Sequence, residues 1–139
     1  LLLAFITGCS SPELSLYTEY ISIQSLPSYK IGTPDPRLYC PDYGEKLHIS
    51  WFLPHEWRCD EIYLFLHLLY GNGTYEEKWI RVDTLDGVYA FPLLNEEYRE
   101  KDGLFSYKVA LVGDGCILLE RRHILWAEPI ILEDVPILE

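Results

Sequence analysis

The sequence lacks methionine and long apolar runs, and its 11 lysine and arginine residues are outnumbered by 22 acidic ones. The absence of Met, an initiator included, indicates that the numbering starts inside a longer precursor. A formal net charge of −11 repels phosphate backbones, so we expect no nucleic-acid partner. No stretch is long enough to predict a membrane-spanning helix, and the charge does not favour an anionic bilayer. Any membrane attachment must therefore come from lipid or from apolar insertion.

Nearly half of the 139 residues are apolar, and 14% are aromatic, led by 11 tyrosines. A chain of this length fits one domain with a proper core, and its apolar content excludes general disorder. Tyrosine and the other aromatic residues favour strands over helices. The composition therefore predicts a single folded domain that is rich in β-structure.

Residues 1–8, LLLAFITG, are apolar and uncharged, and they run into the tetrapeptide Ile6-Thr7-Gly8-Cys9. This tetrapeptide resembles the lipobox of bacterial lipoproteins, in which an aliphatic residue, a small residue and Gly or Ala precede a cysteine. A thiol is the side chain nucleophilic enough to take a diacylglyceryl group as a thioether. Small residues before it let the extended backbone enter a signal peptidase cleft.

The resemblance implies that residues 1–8 are the end of a signal peptide and that Cys9 carries lipid. Residues 9–16 would then form a tether, and Ser10 after the cysteine usually accompanies sorting to the outer membrane. We therefore expect a protein of the bacterial cell envelope, anchored to a membrane and facing the periplasm or the surface. The alternatives are an ordinary cysteine in a terminal strand and a conventional leader cleaved nearby.

Beyond the tether, apolar residues recur mostly with the period of two that predicts strands. Gly71-Asn72-Gly73 and Gly113-Asp114-Gly115 are typical of hairpin turns, and Pro92 favours a sheet edge because it lacks an N–H. One helical turn is expected within 95–103. The predicted strands are Tyr17–Ser25, Leu47–Leu53, Glu61–Tyr70, Tyr75–Val82, Val88–Leu94, Leu104–Val112 and Cys116–Trp126, and we expect the aliphatic tail after them to extend an edge strand.

About seven strands without a convincing helix predict an all-β domain over 17–139, an antiparallel β-sandwich. The pattern over 17–132 resembles the immunoglobulin-like and fibronectin type III group. That resemblance implies a buried Trp51 on the second strand and Tyr107 as a core tyrosine. A small up-and-down barrel is the alternative.

Three cysteines remain after Cys9, and an oxidising envelope would preserve a disulfide between two of them. Cys40 and Cys59 flank one predicted strand and would close a loop of about 20 residues, which predicts roughly 3 kcal/mol of stabilisation. They must fold back towards each other to meet. Pairing of either one with Cys116, and three free thiols, stay open as alternatives.

Metal and catalytic motifs are missing. The HEWRC string at 55–59 holds His55 and Cys59, but no second Cys/His pair supplies the remaining ligands of a zinc site. The carboxylates are scattered, and there is no nucleophile elbow, phosphate loop or zinc-protease motif. We therefore expect no metal, no cofactor and no enzyme activity, although a catalytic site built from scattered residues stays a third hypothesis.

Binding is the function that the residues favour. Trp57 lies in a polar turn, and Tyr75 and Trp79 share one face of a strand, so these three aromatics are the candidate anchors for a protein or glycan partner. The leading hypothesis is a lipid-anchored, non-enzymatic binding module. The alternative is a periplasmic assembly or chaperone-like factor that pairs with client strands along Val88–Leu94 or the aliphatic tail.

Overall fold

A computed structural model describes residues 11–127 of the chain. They form seven strands and two short helices, α1 (Pro27–Ile31) and α2 (Asn95–Lys101). The strands are β1 (Glu13–Ile21), β2 (Gly44–Phe52), β3 (Ile62–Tyr70), β4 (Tyr75–Val82), β5 (Asp86–Leu94), β6 (Leu104–Gly113) and β7 (Cys116–Arg122).

The strands form two antiparallel sheets, of three strands in the order β1-β2-β5 and of four in the order β4-β3-β6-β7. The predicted β-sandwich is confirmed. The barrel alternative is wrong, because consecutive strands would pair all round a barrel, whereas β2 pairs with β5 and β3 with β6. In constant-type immunoglobulin domains the fourth strand joins the sheet of the first two, whereas β4 pairs with β3.

The core lies between the sheets and takes every second residue of the inner strands. On β3, Ile62, Leu64, Leu66 and Leu68 are buried while the residues between them are half-buried. Trp51 and Tyr107 are each only 7% exposed and belong to this core, as the resemblance implies. The Trp51 indole N–H donates a hydrogen bond to the carbonyl of Thr84, so its polar atom is satisfied.

The first strand differs from its predicted limits. It begins at Glu13 and ends at Ile21, after which Ile23–Ser25 form a 3₁₀ turn. Leu14 is buried in the core, whereas Tyr17, at which the predicted strand begins, is 60% exposed. Leu14 and Leu16, two positions apart, both face the core, and this orientation sets the register in which β1 pairs with β2.

Both glycine-rich hairpins and the edge position of β5 are confirmed. The turn after Tyr70 joins β3 to β4, and Asp114-Gly115 joins β6 to β7 with both residues at positive φ. Helix α2 has seven residues, longer than the single turn predicted, and β7 ends at Arg122 rather than at Trp126. The tail after Ala127, which the sequence assigned to an edge strand, lies outside the described residues.

Glu45 is an ionisable residue on the inner side of the three-stranded sheet, and it is 8% exposed. Burial raises the pKa of its carboxyl group, and hydrogen bonds from the Leu104 backbone N–H and the Tyr98 hydroxyl oppose that rise without cancelling it. The buried carboxylate therefore works against folding when it is charged.

Glu76 lies on the inner side of the other sheet, opposite Leu68 at the β4 edge. Burial acts to raise its pKa, but Lys78 and Lys101, each with its Nζ 3.3 Å from a Glu76 carboxylate oxygen, outweigh this effect and lower the pKa. The two inner carboxyl groups are thus shifted in opposite directions because only one has lysine partners.

Candidate binding surface

The outer face of the four-stranded sheet carries a row of aromatic side chains. Tyr63, Phe65 and His67 alternate with the buried leucines of β3, and this alternation directs them away from the core. The register places Phe65 directly opposite Trp79 of β4, and Leu69 opposite Tyr75. We call this surface the aromatic face, formed by Tyr63, Phe65, His67, Tyr75, Trp79 and Trp126.

Trp79 is the centre of the best-packed part of the aromatic face. Its ring stacks on Phe65 with 3.9 Å between ring centroids and 15° between the planes. Tyr63 meets it edge-on at 6.2 Å and 80°. Because opposite residues of an antiparallel pair lie 4.5–5.5 Å apart, this stack is a direct product of the register.

The indole of Trp79 is nevertheless 57% exposed. Phe65 covers one side of it, and Tyr63 restricts its rotation from the neighbouring strand. The side chain is therefore both held in place and accessible. An aromatic group in this state loses little conformational entropy when another molecule packs against it.

The other end of the aromatic face is more polar. The Tyr75 hydroxyl hydrogen-bonds to His67 Nδ1 and also lies 2.8 Å from a carboxylate oxygen of Glu77. The ring of Trp126 lies 6.0 Å from that of His67, and Lys108 Nζ is 5.7 Å from the Trp126 ring. This end therefore combines aromatic surface with hydrogen-bonding groups.

Trp126 reaches the face because the chain turns after β7. The backbone N–H of Trp126 donates to the carbonyl of His123, and the N–H of His123 donates to the carbonyl of Tyr107 at the start of β6. These two hydrogen bonds hold the end of the described chain close to the sheet. The sequence did not reveal this, because β7 was predicted to continue through Trp126.

Two clefts among the described residues lie away from Trp79, which lines neither of them. One of about 470 Å³ runs between β1 and β7, where Arg121 Nε donates to the carbonyl of Leu14 across the gap between the sheets. Another, of about 420 Å³, lies between Ile21 and Cys40 at the other end of β1. The aromatic face itself is an extended surface on a sheet, not a pocket.

The three aromatics singled out from the sequence do not all meet. Tyr75 and Trp79 share the outer face of β4, as predicted. Trp57 belongs to the 3₁₀ turn His55–Trp57 after β2 and is 37% exposed, and within residues 11–127 no ring contact links it to the aromatic face. Trp57 is therefore a separate exposed tryptophan.

Tyr63, Phe65 and His67 were missed as site residues. The EIYLFLHLLY segment is apolar on both faces apart from His67, a pattern that favours a central strand buried on both faces. The available signal was the Gly71-Asn72-Gly73 hairpin, whose register sets Phe65 against Trp79 and so links an apparent core residue to a candidate anchor.

The cysteines in the described part of the chain are thiols, and Cys9 lies outside that part. Cys40 lines the cleft near Lys46 at the beginning of β2, whereas Cys59 packs against Gly113 at the β6–β7 hairpin. Cys40 and Cys59 thus lie at opposite ends of β2, whose nine residues extend over about 30 Å.

Between residues 11 and 127, no three histidine, cysteine, aspartate or glutamate residues are grouped so that they can hold a metal ion. Over the same part of the chain, no helix has the length and hydropathy needed to cross a membrane.

Compared with known proteins, the chain matches no family model, no curated protein and no solved structure.

Proposed function

We propose that this chain is a lipid-anchored protein of the bacterial envelope that binds another envelope protein through the aromatic face. The observation that carries the binding part is the state of Trp79, which is stacked on Phe65 and yet 57% exposed. Tryptophan and tyrosine are enriched among the residues that dominate binding energy at protein interfaces. The aromatic face contains both residue types, as Trp79 and the neighbouring Tyr63.

The shape of the surface favours a protein as the partner. Small ligands bind in concave pockets, whereas protein partners pack on open surfaces with an aromatic centre and a polar rim. Trp79 and Phe65 form such a centre on the sheet, and Glu77 and Arg81, also outward on β4, lie at its rim. A glycan that stacks on Trp79 is the outcome that the experiment below must separate from a protein.

The anchoring part of the proposal depends on Ile6-Thr7-Gly8-Cys9, which lies outside the described residues. We expect mass spectrometry of the mature protein to find an acylated Cys9 at its N-terminus. Cys9→Ala should release the protein from the membrane fraction or leave the leader uncut. An unmodified Cys9 thiol, or cleavage elsewhere, would contradict lipidation and would leave the binding proposal untouched.

Binding is tested with the chain carrying Cys9→Ser, which cannot receive a thioether-linked lipid. This protein is mixed with isolated envelopes of the bacterium, and the fraction that sediments with them is measured as a function of concentration. Trp79→Ala should lower the affinity by about 30-fold, the factor expected for a binding residue worth about 2 kcal/mol. Trp57→Ala is the matched control, since it removes an exposed tryptophan outside the aromatic face.

Enzymatic treatment of the envelopes identifies the partner class. Digestion of surface-accessible protein should abolish sedimentation of the chain, and digestion of the glycan layer should leave it intact. Loss of binding after glycan digestion alone would show that Trp79 binds a sugar. Equal losses for Trp79→Ala and Trp57→Ala would overturn the aromatic face as the binding surface.

The second candidate function is that of an assembly or chaperone-like factor that pairs a client strand with the edge strand β5. This strand pairs only with β2 among residues 11–127, and Val88 on it is 80% exposed. However, Pro92 has no N–H to donate along its free edge. A client strand could therefore form an unbroken ladder only over the part of β5 before Pro92.

A further inference from the structure

Cys59 lies unusually close to the backbone of Gly113 at the end of β6. A Cβ atom added to Gly113 would stand 2.7 Å from Cys59 Sγ and 3.3 Å from Cys59 Cβ. Real Cβ atoms do not approach other atoms that closely, so only glycine leaves room for Cys59 there. The Cys59 side chain thus occupies the space on the inner side of β6 into which a residue 113 side chain would project.

Cys116 projects on that same side. It is the residue directly opposite Gly113 in the β6–β7 ladder. Opposite residues in an antiparallel pair direct their side chains to one face, with Cβ atoms about 4.5–5.5 Å apart. The Cβ of Cys59 is 3.3 Å from the position that a Cβ on residue 113 would take. Cys59 and Cys116 therefore lie as neighbours on the same face of the sheet.

The Cys59 Cβ lies 3.3 Å from the position that a residue 113 Cβ would take, and the Cys116 Cβ lies about 4.5–5.5 Å from it, so the two cysteine Cβ atoms are at most about 9 Å apart. A disulfide needs Cβ atoms about 3.5–4.5 Å apart, a separation within this limit. Cys116 is exposed and follows the turn Asp114-Gly115. Hydrogen bonds hold this turn beside Cys59, because the backbone N–H groups of Asp60 and Glu61 donate to the Asp114 carboxylate and the Asp114 N–H donates to the Glu61 carbonyl. Burial raises the pKa of the Cys59 thiol, and the neighbouring Asp114, Asp60 and Cys116 raise it further.

We propose that Cys59 and Cys116 form a disulfide that joins the β2–β3 connection to the β6–β7 hairpin, leaving Cys40 as a thiol. The oxidant is a protein or small-molecule disulfide. The thiolate of exposed Cys116 attacks one sulfur of that disulfide and releases its other sulfur as a thiol. The Cys59 thiolate then attacks Cys116 Sγ in the mixed disulfide and expels the second thiol, so the oxidant gains the two electrons and two protons that the cysteines lose.

The cross-link joins parts of the chain that are distant in sequence. Cys59 and Cys116 are 57 positions apart (116 − 59) and enclose β3, β4, β5 and β6. A cross-link over so long a loop removes more unfolded-chain entropy than one over a short loop. We therefore expect the oxidised protein to melt roughly 10 °C above the reduced protein.

Peptide mapping of the full chain identifies the linked pair. The protein is equilibrated with glutathione disulfide, remaining thiols are alkylated, and trypsin digestion follows without reduction. Cleavage after Arg58, Lys78, Lys108 and Arg121 places the two cysteines in peptides 59–78 and 109–121. We expect these peptides to be found joined, with Cys40 alkylated. A cross-link that includes Cys40, or alkylation of both Cys59 and Cys116, would overturn the proposal.

Thermal unfolding with matched variants gives an independent readout. Cys116→Ser should abolish the difference in Tm between the oxidised and reduced proteins, and Cys40→Ser should keep it. Cys116 is exposed, so its serine variant should fold and match the reduced parent. Loss of the difference in Cys40→Ser, or its survival in Cys116→Ser, would contradict the assignment.

Discussion

The outer faces of the two sheets differ although the sheets share one core. On the four-stranded sheet, Phe65 and Trp79 stack across two strands and expose most of the indole. On the three-stranded sheet, Tyr17 stacks on His48 at 4.6 Å, and His48 Nε2 lies 2.7 Å from a carboxylate oxygen of Glu19. The outer face of the four-stranded sheet therefore carries aromatic side chains that pack on one another, whereas that of the three-stranded sheet carries an aromatic ring in contact with polar side chains.

The rest of the three-stranded face strengthens the contrast. Ser15 and Ser50 hydrogen-bond to each other across β1 and β2 at 2.5 Å, and Val88 stands alone on β5 at 80% exposure. Isolated exposed apolar residues are normal on protein surfaces, whereas joined aromatic patches mark interaction sites. The candidate binding surface is therefore distinguished by the arrangement of its aromatic side chains across neighbouring strands, not by their number.

The largest effect is expected inside the sandwich, where neither outer face is involved. Trp51→Ala removes a side chain that is 7% exposed and should lower the free energy of unfolding by about 3–5 kcal/mol, since it leaves a cavity in the shared core. Urea denaturation measures this loss. A decrease in the free energy of unfolding of less than about 1 kcal/mol would show that the inner residues of the two sheets do not form the core.

Trp79→Ala should separate binding from stability. Its affinity for envelopes should fall by about 30-fold, while the free energy of unfolding should fall by about 1 kcal/mol, the value of an aromatic pair such as Phe65–Trp79. Sedimentation and urea denaturation give the two quantities. A loss of stability as large as that of Trp51→Ala would mean that Trp79 serves mainly to hold the fold.

The inner carboxyl groups of the two sheets should respond to pH in opposite ways. The pKa of Glu45 is raised in the folded protein, so its contribution to stability is present below the unfolded pKa and lost as pH rises through the folded pKa. Glu45→Gln should therefore gain stability relative to the parent at pH 7, and this gain should disappear below the ordinary glutamate pKa.

Glu76→Gln is the matched comparison. The pKa of Glu76 is lowered by its lysines, so its contribution is present above the unfolded pKa and lost as pH falls through the folded pKa. This variant should be less stable than the parent at pH 7 and should approach it in acid. Urea denaturation from pH 3 to 8 measures both variants, and pH profiles of the same sign would contradict the assignment.

The smallest effect is expected on the three-stranded face. Tyr17→Ala should change the free energy of unfolding by no more than about 0.5 kcal/mol, because Tyr17 is 60% exposed. Its affinity for envelopes should stay within twofold of the parent. If Tyr17→Ala weakened binding as much as Trp79→Ala, the distinction between the two faces would fail.

Local signals in the sequence were enough to predict the sandwich. The alternation of Leu47, Ile49 and Trp51 predicted β2. The glycine-rich turn after Tyr70 predicted the β3–β4 hairpin, and Pro92 predicted that β5 lies at the edge of its sheet. Each depends on the chemistry of a few neighbouring residues. The first strand was misplaced because its core contact rests on Leu14 and Leu16, a signal weaker than the tyrosines and isoleucines that follow.

The candidate surface was predicted only in part because it depends on which strands are neighbours. Tyr75 and Trp79 were found from the alternation within β4. Phe65 and Tyr63 join them through the β3–β4 register, and Trp126 joins through the turn after β7. Pairings between strands and turns after strands are set by the whole fold, so periodicity in one segment does not show them.

Photo-cross-linking in the living cells that produce the protein tests the central claim most directly. Benzoylphenylalanine is placed in the full-length protein at Trp79 on the aromatic face, at Tyr17 on the opposite face or at Val88 on the edge strand. We predict one protein adduct from position 79 and none from positions 17 and 88. Equal adducts from positions 79 and 17, or an adduct from position 88 alone, would contradict binding through the aromatic face.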